Sequence, residues 1–222
     1  MVTENERKEQ MINKINDEVV KNGFKTLTMD GIAKVMGISR GKLYQYFSSK
    51  DEVIEAVVNR YLQYIEKISI IGNPQENQEF IDEFISIYFQ NVTLAGSASK
   101  TFVNDLKTVY PSLYQKFSDS MAKRDFVIQE FYEAGMKKSV FNQGMNAQLL
   151  NIQDQTMLAV LVLPQFLFTH RLEPSHAIRD YLRLRILGII APEFHNLVNH
   201  ADVESQIKHL DEKFRRVFLE KM

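Results

Sequence analysis

The sequence predicts an all-α protein, with a three-helix domain containing a helix-turn-helix followed by a larger helical domain. Three observations carry this. Apolar residues recur at intervals of three and four along the chain, and from Gln75 onward no segment alternates as a strand would. Gly72-Asn73-Pro74, Gly135, Pro174 and Pro192 fall at the ends of these patterns, where helices start and stop. Residues 28–52, TMDGIAKVMGISRGKLYQYFSSKDE, hold two short helical patterns around Gly37 and the start of a third helix.

The first helix is expected over Glu4–Asn22. Thr3 and Glu6 have capping-box spacing, and Met11, Ile12, Ile15 and Val19 mark an inner face. Gly23 ends it. Thr28 is placed to cap a second helix bearing Ile32, Val35 and Met36, and Gly37 is placed to end it in a left-handed conformation. Ser39 then caps a third helix whose Leu43 and Phe47, four apart, point inward. Ser48 or Ser49 caps a fourth that starts Lys50-Asp51-Glu52, with its acids where the helix dipole favours them, and runs to about Ile70.

Beyond Gly72-Asn73-Pro74 the patterns remain helical. Phe80, Phe84, Ile87, Tyr88 and Val92 mark one helix, and Phe102, Leu106 and Val109 the next. Pro111 opens a long helix ending near Gly135, and residues 139–147 form a loop around Gly144. A helix over Gln148–His170 is expected to bend at Pro164, followed by one over Pro174–Ile190. In the tail, Ile207, Leu210, Phe214, Val217 and Phe218 lie on one face of a last amphipathic helix. That makes about ten helices. The division by role falls at 1–49 and 50–222, with 193–222 as a C-terminal extension whose apolar face must be covered by its own body or by a partner subunit, of which we favour the partner.

Composition excludes several classes. The 45% apolar and 25% charged residues are those of an ordinary globular chain. With no Cys, disulfides, thiolate zinc sites and cysteine nucleophiles are all removed, which fits a reducing cytoplasm. The start of the chain lacks the apolar core of a signal peptide. The longest apolar run, Met157 to Phe168, is broken by Pro164 and Gln165 and falls short of the roughly 20 residues of a membrane span. No enzyme motif is present: Gly37-x-x-x-Gly41-Lys42 is one residue short of a phosphate loop, and the five His residues do not take metal-ligand spacing. No cofactor or metal is expected. Residues 1–50 hold nine Lys/Arg against six Asp/Glu, a charge of +3, while the remainder carries −4. A basic end on an acidic body lets a polyanion attract that end alone.

The outer face of the third helix carries Gly41, Lys42, Tyr44, Gln45 and Tyr46. Small, basic, amide and phenolic residues on a short helix suit a DNA major groove. The segment GISRGKLYQYFSSKDEVIEAV resembles the N-terminal signature of TetR-type transcriptional repressors through Gly37, Ile38, Ser39, Gly41, Leu43, Tyr44, Tyr46, Phe47 and Lys50. Gly23-Phe24, Thr28 and Ile32-Ala33 fit as well, so the likeness covers about residues 7–58. Two positions depart from the pattern. Tyr46 stands where His is frequent, and Lys42 where a small residue is common, which bears on the operator sequence rather than on DNA binding. The resemblance implies that Ser39, Arg40, Gly41, Lys42, Tyr44 and Gln45 face base edges or nearby backbone, and that Thr28, Tyr46 and Lys50 hold phosphates.

The resemblance further implies a homodimer on a palindromic operator in double-stranded DNA. Its interface would involve the stretches around Leu158–Phe168 and Tyr181–Ile189. It also implies a small-molecule effector, apolar or amphipathic, that enters the body, shifts the fourth helix and releases the DNA. Polar side chains among aromatic ones suit such a pocket. Its candidate lining is Phe84, Tyr88, Asn91, Phe102, Tyr114, Phe117, Gln129 and Gln165, although packing in the core explains aromatics equally well. The alternatives are a related DNA-binding protein that answers to a protein or marks DNA, and a helical ligand-binding module.

Overall fold

The computed structural model describes residues 4–219, with side chains described except at residue 5 and from 213 onward. The described residues form eleven α-helices, one 3₁₀ turn and no strand beyond a single bridge between Phe141 and Ile190. The helices are α1 Glu4–Asn22, α2 Met29–Met36, α3 Arg40–Tyr44, α4 Lys50–Lys67, α5 Asn77–Ser97 and α6 Lys100–Val109. They continue with α7 Pro111–Lys137, α8 Ala147–Leu161, α9 Pro164–His170, α10 Pro174–Ile189 and α11 His200–Leu219. The chain divides into two compact units, residues 1–68 with 97–123, and residues 69–96 with 124–222. These units follow packing and cut the chain elsewhere than the division by role at 49/50.

The first unit is built around side chains withdrawn from water on α1, α2, α3, α4, α6 and the links after α1 and α3: Ile15, Val19, Phe24, Ile32, Met36, Leu43, Phe47, Val53, Val57, Phe102 and Leu106. Each such side chain contributes about 1.5–3 kcal/mol relative to exposure. The caps are the expected ones. Thr28 Oγ1 accepts from Gly31 N–H at 3.1 Å and Ser39 Oγ from Lys42 N–H at 3.2 Å. Ser49, not Ser48, caps α4, accepting from Glu52 N–H at 3.2 Å. Gly37 takes φ 71°, and the N–H groups of Ile38 and Gly37 close back on Ala33 and Lys34, a Schellman stop. The capping box expected at Thr3 lies outside the described residues.

In the second unit Phe141, in the loop after α7, lies at the centre of an aromatic cluster. Its ring sits 5.3–6.0 Å from those of Phe80, Phe84, Phe131 and Tyr132. It lies against Gly135, where a Cβ would come within 2.1 Å of its ring. The loop is fixed by Asn142 N–H on Ile189 C=O (2.7 Å) and Ala191 N–H on Val140 C=O (2.9 Å). Beside this apolar mass sits a buried ion pair. Arg185 on α10 meets Asp154 on α8 at 2.7 Å, with side-chain exposures of 5% and 3%. Tyr132 and Tyr181 donate to the same carboxylate (3.2 and 2.8 Å), and Arg185 also donates to Gln153 and to the Leu150 carbonyl. Burial pushes the Asp154 carboxyl above its usual range, against the pull of Arg185 and the hydroxyl donors.

Two expectations change. The helix expected to bend at Pro164 is two helices, because Leu163 before the proline is extended (φ −86°, ψ 120°) and Pro164 opens α9 at its first position. The tail expected to rest on a partner packs on its own body as far as its side chains are described. Val203, Ile207 and Leu210 join the second unit's core, and Arg179 grips Glu204 through two hydrogen bonds of 2.8 Å. Phe214, Val217 and Phe218 lie outside the described side chains.

Arg185→Met strands a carboxylate inside the second unit and is expected to cost about 3–5 kcal/mol. The double change Asp154→Leu with Arg185→Met should recover most of that loss in urea unfolding. A double variant no more stable than the single one would contradict this account of the pair.

Candidate nucleic-acid interface

α3 is a single turn whose inner side is spent on Leu43, with Phe47 just beyond it, both fully buried. Everything else on it is turned to solvent: Ser39, Arg40, Gly41, Lys42, Tyr44 and Gln45 are all exposed, as is Thr28 at the start of α2. No atom lies within 4 Å of where a Gly41 side chain would begin, so a DNA backbone or base edge has room to approach. Tyr46 is half-buried and packs on the first unit's core, which leaves it a smaller share of the surface than its neighbours.

The surface is partly pre-ordered. Arg40 donates to Asp30 of α2 at 3.1 Å and lies over the Tyr44 ring, 5.6 Å from its centre. The Tyr44 hydroxyl and the Asp30 carboxylate raise the Arg40 guanidinium above its ordinary value, so it stays charged. A planar, charged fork held against a ring suits bidentate contact with a guanine edge or a phosphate. Lys50 differs from the expectation of a free phosphate ligand. Its ammonium is half-buried and donates to the carbonyls of Lys25 (3.1 Å) and Leu27 (2.7 Å).

Beneath this surface Glu52 joins three elements. Its carboxylate accepts from Lys8 of α1 (2.9 Å), from the Ser48 N–H (2.7 Å) and from the Ser48 hydroxyl. Lys8 also lies 4.7 Å from the centre of the Phe47 ring. The Lys8 ammonium and the Ser48 N–H lower the Glu52 carboxyl from 4.5 to about 2. Neither Asp30 nor Glu52 was legible as a site residue, since the Asp30 contact with Arg40 and the Glu52 contact with Lys8 are made only in the fold.

The candidate pocket residues divide between the two units. Phe84, Tyr88 and Asn91 are buried on α5 in the second unit, with the Tyr88 hydroxyl on the Ile178 carbonyl at 2.6 Å. Phe102, Tyr114 and Phe117 belong to the core of the first unit. Gln129 is half-exposed and bonds Glu133 on its own helix, and Gln165 is exposed at the start of α9. The buried side chains of Asn91 and Glu83 were more informative than the glutamines. Asn91 Nδ2 and Glu83 Oε1 are buried with no hydrogen-bond partner on the protein.

Comparison with known proteins converges on the same region. The family described as bacterial regulatory proteins, tetR family, matches residues 17–57. The HTH-type transcriptional regulator YvaF of Bacillus subtilis, itself uncharacterised, is 38% identical over 50 residues, 22% of this chain and 26% of that one. IcaR, the negative transcriptional regulator of the icaADBC biofilm operon in Staphylococcus aureus, is 27% identical over 164 residues, 62% of this chain and 88% of its own. A TetR-family transcriptional regulator from Marinobacter aquaeolei shares the fold with a TM-score of 0.60 at 15% identity, over 93% of this chain and 98% of that one. The chain thus spans about a quarter of the first curated relative but most of the solved structure.

Because the Glu52 carboxyl is depressed in the fold, its contribution to stability is complete above the ordinary value of 4.5 and is lost as pH falls toward about 2. Glu52→Gln should therefore lower the melting temperature near neutral pH and flatten its decline in acid. Melting curves in buffers from pH about 6 to about 2 decide this. Parallel declines in the two proteins would remove Glu52 as the group responsible.

Proposed function

We infer that the chain is a TetR-type DNA-binding transcriptional repressor acting as a homodimer, a reading supported by the match of the tetR-family model to residues 17–57. The observation that carries the DNA reading is the outer surface of α3. Six neighbouring positions, Ser39, Arg40, Gly41, Lys42, Tyr44 and Gln45, are exposed on a helix whose buried side is fixed by Leu43 and Phe47. The net charge of +3 on residues 1–50 draws the phosphates to that end. Arg40 and Lys42 supply donors for base edges or phosphates, and Thr28 with the start of α2 offers amides and a helix dipole to a phosphate. Repression, rather than activation, is supported by the negative regulator IcaR, which is similar over most of its own length.

Two copies are required by arithmetic of recognition: one short helix reads too few base pairs, and a two-fold dimer on a palindrome doubles the site. In the second unit Ile152 and Met157 of α8, Phe168 of α9, and Leu184 and Leu187 of α10 are exposed, Phe168 at 83%. Apolar exposure concentrated on these helices supports an isologous contact with a second copy. An apolar or amphipathic effector bound in the helical body is the control we assign. The partnerless Asn91 Nδ2 beside the aromatic residues of α5 supports it, since a buried amide without a partner costs energy that a ligand acceptor offsets.

The DNA reading is tested by fluorescence anisotropy on duplexes from the region upstream of its own gene, against random duplex. Wild-type protein should prefer one such duplex, and Lys42→Ala should weaken that complex by about 1–3 kcal/mol. Equal affinity for every duplex at physiological salt would sink the reading. Light scattering should give twice the 25.9 kDa of one chain, and Leu187→Glu should shift it toward a single chain. A wild-type mass of one chain at micromolar concentration would exclude the dimer.

A further inference from the structure

Asp30 is an acid on a surface assigned to a polyanion. It is exposed in the first turn of α2, two residues after Thr28, and its carboxylate reaches across to Arg40 at the start of α3. A negative charge there opposes phosphates and weakens every complex with DNA. Two ordinary reasons for an acid at this place fall short. The dipole of α2 favours it, but the cap is already supplied by Thr28, whose Oγ1 accepts from the Gly31 N–H. The pair with Arg40 is 60% and 66% exposed at its two side chains, and ion pairs so open to water add little to a fold. What the pair does change is the pose of Arg40. Asp30 Oδ2 accepts from Arg40 Nη1 at 3.1 Å, and the Tyr44 ring, one turn along α3, lies 5.6 Å from the guanidinium carbon. The guanidinium has five N–H donors, and Asp30 takes one, so donors remain for a base edge. Beneath it the backbone of α3 is anchored by the fully buried Leu43 and Phe47, and the space next to Gly41 is open.

We propose that Asp30 is a specificity-determining residue of the DNA surface that acts through Arg40, holding the guanidinium in one pose for a guanine edge and keeping it from settling on phosphates. Discrimination then has two sources. At the right base pair the fork is oriented before contact, so less side-chain freedom is lost on binding. On every other sequence the Asp30 charge opposes the phosphates with nothing to offset it. Asp30 thereby lowers affinity for DNA in general and sharpens the choice of one G·C pair. The proposal rests on the DNA-binding reading above.

The test uses the duplex that wild-type protein enriches from a random library, together with copies in which each base pair is changed in turn. Enrichment of no duplex overturns the DNA reading, and this proposal with it; every other outcome bears on the proposal alone. Asp30→Asn keeps the shape and removes the charge. We expect it to bind random duplex about two- to fivefold more tightly and to lose about three- to tenfold of the preference at a single G·C pair, leaving the preferences at other pairs unchanged. In an Arg40→Ala background that pair is no longer discriminated, so adding Asp30→Asn should alter no base preference and leave only the uniform gain in affinity. Arg40→Lys, which keeps the charge and loses the fork, should give the same pattern and replaces Arg40→Ala if that variant does not fold. A uniform gain from Asp30→Asn with every base preference intact would make Asp30 a mere charge and overturn the proposal. A change of base preference that persists without the Arg40 fork would show Asp30 reading a base itself, and would overturn it equally.

Discussion

A helix of five residues cannot hold its shape in water, because nucleation fixes several residues for one hydrogen bond. Yet α3 is that short, and the surface to which we assign DNA binding is its outer side. Its form is therefore borrowed from its surroundings. Gly37 reverses the chain before it, Ser39 caps it, and Leu43 with Phe47 sinks its inner side into a core walled by α1, α4 and α6. Once those constraints are met, the remaining positions are unburdened by packing. Arg40, Lys42, Tyr44 and Gln45 can then be chosen for what they touch outside the protein.

The two units satisfy their carboxylates differently. In the first, Asp105 and Glu52 turn their carboxylates toward backbone N–H groups, so that an anion replaces the missing partners at a chain reversal and before a helix start. In the second, Asp154 and Arg185 neutralise one another, and two tyrosines complete the carboxylate's set of donors. The first arrangement specifies a local path of the chain. The second joins α8 to α10, the two helices that carry much of the exposed apolar surface, and so fixes their spacing for any copy that docks there.

Much of this was legible in the sequence, for identifiable reasons. The helix bounds of α1 emerged from a long amphipathic run, and Thr28, Gly37 and Ser39 declared α2 and α3 through cap chemistry that depends on immediate neighbours only. The exposed outer side of α3 followed from subtraction, since Leu43 and Phe47 could face only inward. Pro164 was read as a bend and is a break, because its effect passes through the extended Leu163 before it. What stayed hidden depends on distance along the chain. Asp105 lies 81 residues from Phe24, and nothing in the local pattern around either one points to the other. The partners of Lys50 were hidden for a related cause: a lysine at a helix start looks the same whether its ammonium meets solvent or the carbonyls of a preceding loop. The glutamines offered as pocket polar groups lie at the surface, because helical spacing alone does not say how far an amide on a face edge is turned outward.

The contact between Gly135 and Phe141 limits how this chain can drift. The ring occupies the volume where any side chain at 135 would begin, so neither position can change size without the other. A descendant with Ala or Ser at 135 would need a smaller residue at 141. That change would in turn loosen a ring that four other aromatics use as their common neighbour. Across related sequences the two positions should covary as a pair, glycine with a large ring or a larger residue with a small one, while the aromatic neighbours adjust in size to whichever pair is present.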